Sequence, residues 1–439
     1  MDRKEKEALA QYIIDLAKKN GANQIAINLS EENGVDIQYR DSEIEQLQES
    51  QQSSLSIQIY VDNKYSSHST NDLKKESLKK FIEQAVKSTK FLSEDKYRKL
   101  PDSKLYAKNL DLDLKLLDAD YHKLSAEERI ERIKEIYELA LSKSDKIIST
   151  ASNFSDVIFS SLKVHSNGFV GFKEATLFSL ASEVTIKDGD SRPEGWFAAQ
   201  TRFKNQLPES DFIANLAVQN ALDKIGQSKI KSGNYDLLVE NKAVANLLSM
   251  LLSPLAASAI QQKRSYLDGM IGKQVASSKL SILDNPFVEK GLGSKLYDSD
   301  GIATRQRKLI DNGVLNYYFI DNYYGNKLGL EPNGGATSNL FFETGNKTLI
   351  EMQTSLKKGI FLTGFNGGNS NSTTGDFSFG ISGFLIENGK LTKPINEMNI
   401  SGNSKELWAK LAEIGNDPYQ FSRWQTPSML FENISFSGL

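Results

Sequence analysis

The sequence predicts an α+β protein with antiparallel or mixed sheets, and three observations carry that expectation. Asn-Gly pairs stand at Asn33-Gly34, Asn167-Gly168, Asn312-Gly313 and Asn388-Gly389, and this dipeptide favours two-residue hairpin turns because both positions tolerate positive φ. Apolar and polar residues alternate beside these pairs, as they do in half-buried strands. Four or five further segments repeat apolar residues at helical spacing. Strands joined by hairpins, with helices to cover them, give the α+β class.

The elements follow in chain order. Residues 5–19 carry Ala8, Tyr12, Ile13, Leu16 and Ala17 on one helical face, and Gly21 follows as a stop. Residues 24–29 and 35–39 alternate as two strands around Asn33-Gly34, and 55–61 alternates as a third. A helix through Leu73, Leu78, Phe81, Ile82, Ala85 and Val86 completes a small sheet domain over about residues 1–100. Residues 91–120 are polar and read as a connection. Ser125-Ala126-Glu127-Glu128 is a capping box, in which hydroxyl and carboxylate reciprocally satisfy free amide donors at a helix start. The helix after it carries Ile130, Ile133, Ile136, Tyr137 and Ala140. Strands are expected at 157–164, 169–172 and 177–186, and a helix over roughly 210–224. These fill a central part of about 120–230 within an N-terminal region of 1–230. Ser232-Gly233 marks a boundary. The strand-rich C-terminal domain, 231–439, opens with a strand at 235–239 and an apolar helix around 242–262.

The 439 residues exceed what one core usually organises. Hydrophobic content of 39% and charged content of 25% fit a folded, soluble chain. A net charge of −3, with no basic run longer than Lys263-Arg264, gives no nucleic-acid footprint. The absence of cysteine removes disulfides, iron–sulfur clusters and thiolate zinc sites. The most apolar run, Leu247 to Ile260, is interrupted by Ser249, Ser253 and Pro254 and is too short to span a bilayer. A cytoplasmic location is expected.

Motifs for common chemistries fail on spacing. The three histidines, His68, His122 and His165, are too far apart for two to share a helix, so a zinc helix of the His-Glu-x-x-His kind is absent. Gly380-Ile381-Ser382-Gly383 lacks the spacing of a nucleophile elbow. No Walker A sequence occurs. Gly364-Phe365-Asn366-Gly367-Gly368 has two readings: a flexible turn with positive φ, or a backbone edge that an extended peptide joins through Gly364, Asn366, Gly367 and Gly368.

Several segments share one further pattern. They include Ser166-Asn167-Gly168-Phe169, Asp300-Gly301-x-x-Thr304-Arg305-x-x-Lys308-Leu309-Ile310, Thr374-Gly375-Asp376-Phe377, Ile386-Glu387-Asn388-Gly389 and Gly415-Asn416-Asp417. In this order and spacing, over about residues 6–438, the chain resembles the TldD/PmbA family, described both as modulators of DNA gyrase and as zinc-dependent peptidases. The resemblance implies a helix bearing His-Glu-x-x-x-His in the peptidase branch, between an apolar Leu-Leu and an Ile-Gly-x-Gln-Val segment. Here Leu251-Leu252 and Ile271-Gly272-Lys273-Gln274-Val275 bracket the place, and Ser253, Pro254 and Ser258 stand at the three motif positions. The cysteine ligand that the resemblance implies near the C-terminus is missing too.

By resemblance, then, the chain looks like the non-metal PmbA/TldE-like subunit of a zinc metallopeptidase complex acting on unfolded or modified peptides. It would bind no metal itself and would give scaffold, channel wall and dimer surface. Zinc is expected in a TldD-like homologous partner, in a heterodimer, with a homodimer as the other possible assembly. Two alternatives stay open: a modulator that binds DNA gyrase through protein contacts, and a self-sufficient non-metal hydrolase. Neither nucleic acid nor membrane is an expected partner.

Overall fold

The structure is a computed structural model that describes residues 1–439. Helix α1 (Arg3–Lys19) starts on a capping box, in which the Asp2 carboxylate accepts the Glu5 N–H and the Glu5 carboxylate accepts the Asp2 N–H. Strands β1 (Gln24–Arg40), β2 (Glu43–Val61) and β3 (Lys64–Thr70) follow, then α2 (Lys75–Thr89). Beyond a long connection come α3 (Ala126–Leu141), β4 (Ile147–His165), β5 (Val170–Ile186), β6 (Glu194–Thr201) and α4 (Ser210–Leu222). The six strands form one antiparallel sheet in the order β3-β2-β1-β4-β5-β6.

The register explains which face of this sheet is apolar. Ile27 and Leu29 on β1 oppose Ile57 and Leu55 on β2, and Val164 and Leu162 on β4. All six are buried in one core with Ile13, Ile14, Leu78 and Ile82 of α1 and α2. The same parity continues to Ile37, Phe154, Phe178 and Leu180, which pack with Ile133 and Ile136 of α3 and Ile213 and Ala217 of α4. Four helices therefore cover one face. The other face presents Asn28, Ser30, Glu32, Ser54, Ser56, Ser161 and Lys163, as strand alternation requires.

Two sequence expectations need correction. Asn33-Gly34 is no hairpin. It lies inside β1, paired with Gln51 and Ser50 on one side and Ile158 and Val157 on the other. The turn falls at Asp41-Ser42, with φ of 50° and 66°. A dipeptide's local turn preference loses to ladder bonds on both sides of a central strand, and Gly34 is retained where a Cβ would press on the Asp156 carbonyl at 3.2 Å. Second, the segments 55–61, 157–164 and 177–186 are parts of longer strands, and β6 had no expectation. The missed part of β2, Glu43–Ser54, is mostly exposed and has only Ile44 and Leu47 as apolar residues, so it offers no alternation to read.

The C-terminal part begins with β7 (Gly233–Val239) and continues through α5 (Asn241–Leu252), α6 (Ala257–Gln261), β8 (Ile282–Asn285), β9 (Arg307–Asp311) and β10 (Val314–Leu315). Next come α7 (Asn322–Leu328), β11 (Asn339–Phe342), α8 (Leu349–Ser355), β12 (Lys358–Ser370), β13 (Asp376–Glu387) and β14 (Lys390–Asn403). The chain ends with α9 (Ser404–Ala409), β15 (Leu411–Ile414) and β16 (Met429–Ser437). Six strands in the order β14-β13-β12-β7-β16-β15 form a mixed sheet, with β12 and β7 parallel, and β14 also meets β16, so the sheet curls back on itself. Leu247, Leu248 and Leu251 of α5 are buried in the core it encloses. Asn312-Gly313 and Asn388-Gly389 do make the expected turns, with positive φ at all four residues. The apolar helix around 242–262 is interrupted at Pro254, where the sequence predicts a helix start or a kink. A 3-10 turn at Ser253–Leu255 separates α5 from α6, because Pro254 has no N–H for the helix ladder.

The 91–120 connection is more than a spacer. Tyr106 bridges to Ile302, with the Ala107 N–H donating to the Gly301 carbonyl at 3.2 Å and the Ala303 N–H to the Leu105 carbonyl at 2.9 Å. The Tyr323 hydroxyl donates to Asp95 at 2.7 Å, and the Arg98 guanidinium lies 3.5 Å from the centre of the Tyr323 ring. The segment thus straps the N-terminal sheet to the C-terminal part.

Candidate functional site

At two of the three motif positions a polar atom is matched within the chain. Ser253 is exposed, and its hydroxyl donates to the Ser249 carbonyl at 2.7 Å, a bond back along its own helix. Pro254 is buried beside Leu255, and its carbonyl accepts the Ser265 hydroxyl at 2.7 Å. Ser258 sits half-buried in α6. Two hydroxyls and a pyrrolidine ring are poor donors for zinc, which takes imidazole, carboxylate or thiolate. Nowhere do three His, Asp or Glu side chains converge to hold a metal. The donor set of this chain does not fit a zinc site.

Gly364, Asn366, Gly367 and Gly368 lie in β12 rather than in a turn. The strand pairs with β7 only as far as Leu362, opposite Val239, and beyond that point keeps β13 alone as a neighbour. Two bulges interrupt this stretch, between Leu362 and Gly364 and between Phe365 and Gly368. Gly368 takes a φ of 127°, and a Cβ there would stand 2.2 Å from the Ser378 carbonyl, so only glycine fits. Asn366, Gly367 and Gly368 are exposed.

A large concave feature lies elsewhere. A cleft of about 1620 Å³ separates the polar face of the N-terminal sheet from residues 290–299 and 334–337 of the C-terminal part, with residues 110–120 of the strap along its rim. Its walls carry Lys163, Lys173, Arg202, Lys295, Tyr297 and Asp298. The sequence shows these only as the polar positions of alternating strands and as loop residues, and nothing local separates a cleft wall from open solvent.

The chemistry of the cleft is set by burial. Asp298 is 7% exposed. Its Oδ1 accepts the N–H groups of Asp300 and Ile302 at 2.8 and 2.9 Å, while Oδ2 has no donor in the chain. Loss of water, aided by the nearby Asp300 charge, pushes the Asp298 carboxyl up to about 6 against the pull of those two amides and Lys295. Burial, and secondarily Lys163, drives the His165 imidazole down to about 3, so it is neutral. Its Nδ1–H is then placed to donate to the Tyr106 hydroxyl at 3.0 Å, and that hydroxyl donates to Asn167 at 2.7 Å. Of the three histidines, His165 is therefore a structural clamp on the strap, edge-on to Tyr106 and tilted against Phe169. His68 bonds Ser66 on β3 and His122 lies edge-on to Tyr121, far from any shared centre.

Comparison with known proteins fits this architecture. Models described as PmbA/TldA metallopeptidase domain 1, central domain and C-terminal domain match residues 26–89, 120–225 and 232–438. The chain belongs to the PmbA/TldD family. The Metalloprotease PmbA of Escherichia coli O157:H7 is 26% identical over 99% of this chain and 97% of its own length. A crystal structure from Bacteroides thetaiotaomicron, described as a proposed modulator of DNA gyrase, is 41% identical with a TM-score of 0.97 and complete coverage of both chains. TldE from Thermococcus kodakarensis is 22% identical, covers 98% of this chain and all of its own, and shares the fold with a TM-score of 0.86. The family's peptidase description implies a metal, which the donor set at Ser253, Pro254 and Ser258 cannot hold. No helix of the chain is long and apolar enough to cross a membrane.

Proposed function

We propose that this chain is the non-metal, PmbA/TldE-like subunit of a zinc metallopeptidase assembly that processes unfolded or modified peptides. It supplies scaffold, channel wall and dimer surface. The zinc, its bound water and the base belong to a TldD-like homologue in a heterodimer, with a homodimer as the alternative assembly. The observation that carries this reading is the replacement of a metal-binding triplet by Ser253, Pro254 and Ser258 inside an otherwise family-typical fold. The stretch of β12 at Gly364, Asn366, Gly367 and Gly368, which pairs with β13 on one side only, offers main-chain groups to which an extended peptide could add as a strand.

Purification of the chain from its native cells tests the proposal. A near-stoichiometric homologue carrying His-Glu-x-x-x-His, with zinc in the complex and none tightly held by the isolated chain, is the expected result. Stoichiometric zinc that survives dialysis of the chain alone would sink it. A second reading, protein-mediated modulation of DNA gyrase, draws on the description of the 41% identical Bacteroides relative. Co-purification of gyrase subunits without a peptidase partner is the result that would favour it.

A further inference from the structure

One wall of the cleft, whose lining mixes acidic and basic side chains, holds three cations that form no ion pair in the chain. Arg202 is 8% exposed. Its terminal nitrogens donate to the Thr176 carbonyl at 3.0 Å and the Leu292 carbonyl at 2.7 Å, which fixes the guanidinium plane, and Nε–H is left without an acceptor in the chain. Lys173 on β5 lies near it, and both cations stand over the Phe159 ring, at 5.7 and 6.0 Å from its centre. Lys163 on β4 is diagonal to Lys173, since the register opposes Ser161 to Lys173 and Lys163 to Gly171. The three side chains therefore share one face of the sheet and one wall of the cleft.

Neither lysine has a hydrogen-bond or ion-pair partner. Lys163 loses water to burial and feels Lys173, and Lys173 loses water and feels Arg202, so each is held below the usual lysine range. Asp298 and Asp300 pull Lys163 the other way, but neither is close enough to pair with it. Glu32, Asp118 and Glu174 also line the cleft, and none forms an ion pair with the three cations. Desolvated cations that form no ion pair oppose folding, and an anion bound at this wall would offset that cost while accepting hydrogen bonds from their unused donors.

We infer that Lys163, Lys173 and Arg202 form a binding site for an oxyanion inside the cleft, either the terminal carboxylate of a peptide or inorganic phosphate. The site needs neither metal nor partner subunit, so it stands apart from the proposed subunit role. Isothermal titration calorimetry of the full chain at low ionic strength tests it with three probes: N-acetyl-trialanine, the same peptide as its C-terminal amide, and inorganic phosphate. Binding of the acid or of phosphate, without binding of the amide, is expected. The stronger of the two anions identifies the source. Lys163→Gln combined with Lys173→Gln should weaken that binding by roughly tenfold or more. These lysines bond nothing in the chain, so the variant should fold, and circular dichroism checks that it does. Arg202→Lys, measured beside it, should weaken binding as well, but the lysine pair decides. Equal binding of acid and amide, no binding of either anion, or an unchanged affinity in the double variant would overturn the inference.

Discussion

The two regions that attract functional attention differ in how their polar atoms are matched. At Ser253–Ser258 the hydroxyl of Ser253 bonds its own helix, Pro254 is buried, and Leu255 is fully inside the core. In the cleft, Arg202 Nε, Tyr297 Oη and Asp298 Oδ2 are buried with no partner in the chain. Buried polar groups are ordinarily hydrogen-bonded, because an unmatched one costs about 1–3 kcal/mol. The Ser253 hydroxyl is matched within the chain, whereas the cleft holds buried polar atoms that no group of the chain satisfies. Family motifs therefore point to one region and unsatisfied chemistry to another.

The largest expected effect calibrates the comparison with a buried charge that is fully matched. Arg129 on α3 grips Asp156 on β4 through Nε–Oδ2 at 2.6 Å and Nη2–Oδ1 at 2.9 Å, and also donates to the Leu124 carbonyl at 2.8 Å. The Asp156 side chain is wholly buried. Arg129→Met strands that carboxylate and should cost about 3–5 kcal/mol in urea unfolding. Adding Asp156→Leu should recover most of the loss, since two apolar groups replace a pair instead of leaving half of one. If the single variant is nearly neutral, burial alone does not make charge matching matter here, and the cleft argument weakens with it.

Next in size is Asp298. Its folded pKa, about 6, lies above the ordinary carboxyl value of 3.8. The folded state thus binds more protons than the unfolded one between these values, and stability falls as pH rises through that window. The shift corresponds to a cost on the order of 3 kcal/mol above pH 6. Asp298→Asn keeps an oxygen for the Asp300 and Ile302 amides and removes the charge. The variant should be more stable than the parent at pH 7, and the two should converge near pH 4. Parallel stability curves from pH 4 to 7 would show that Asp298 ionises freely.

These contrasts also mark what the sequence can tell. The α+β class, the strand–turn–strand units at Asn312-Gly313 and Asn388-Gly389, and the capped helix after Ser125 were legible because turn chemistry and periodicity are local. Asn33-Gly34 misled because a central strand draws its ladder from β2 and β4, segments distant in the chain. The cleft was illegible for a related reason. Lys163 and Lys173 stand ten positions apart, Arg202 and Asp298 lie much further on, and only the register and the 91–120 strap bring them to one wall. The resemblance located Ser253, Pro254 and Ser258 by flanking segments, and the break that Pro254 imposes between α5 and α6 follows from its chemistry.

A smaller effect sharpens the contrast by its sign. Lys163 is an unpaired amine whose main cost is lost hydration, so Lys163→Gln removes that cost and the repulsion of Lys173, gives up the attraction of Asp300 and Asp298, and breaks no bond. The free chain should gain up to about 1 kcal/mol, seen as a modest rise in Tm, even as anion binding weakens. Stability gained together with binding lost separates a functional residue from a structural one. A clear loss of stability would mean that Lys163 holds the sheet together and that its unpaired state does not persist in solution.

The smallest expected effect is at the other region. Ser253→Ala deletes one exposed hydroxyl whose only bond runs back to the Ser249 carbonyl, an interaction that competes with the helix ladder as much as it supports it. Stability should change by less than about 0.5 kcal/mol. In the native assembly, peptide cleavage should match that of the parent, because a hydroxyl at this position neither binds metal nor handles the proton of an attacking water. A fall in kcat with KM unchanged would show that Ser253 touches the reacting atoms across the subunit boundary. The degenerate position would then be a working part of the site, and the contrast between a matched hydroxyl and an open cleft would fail at its first term.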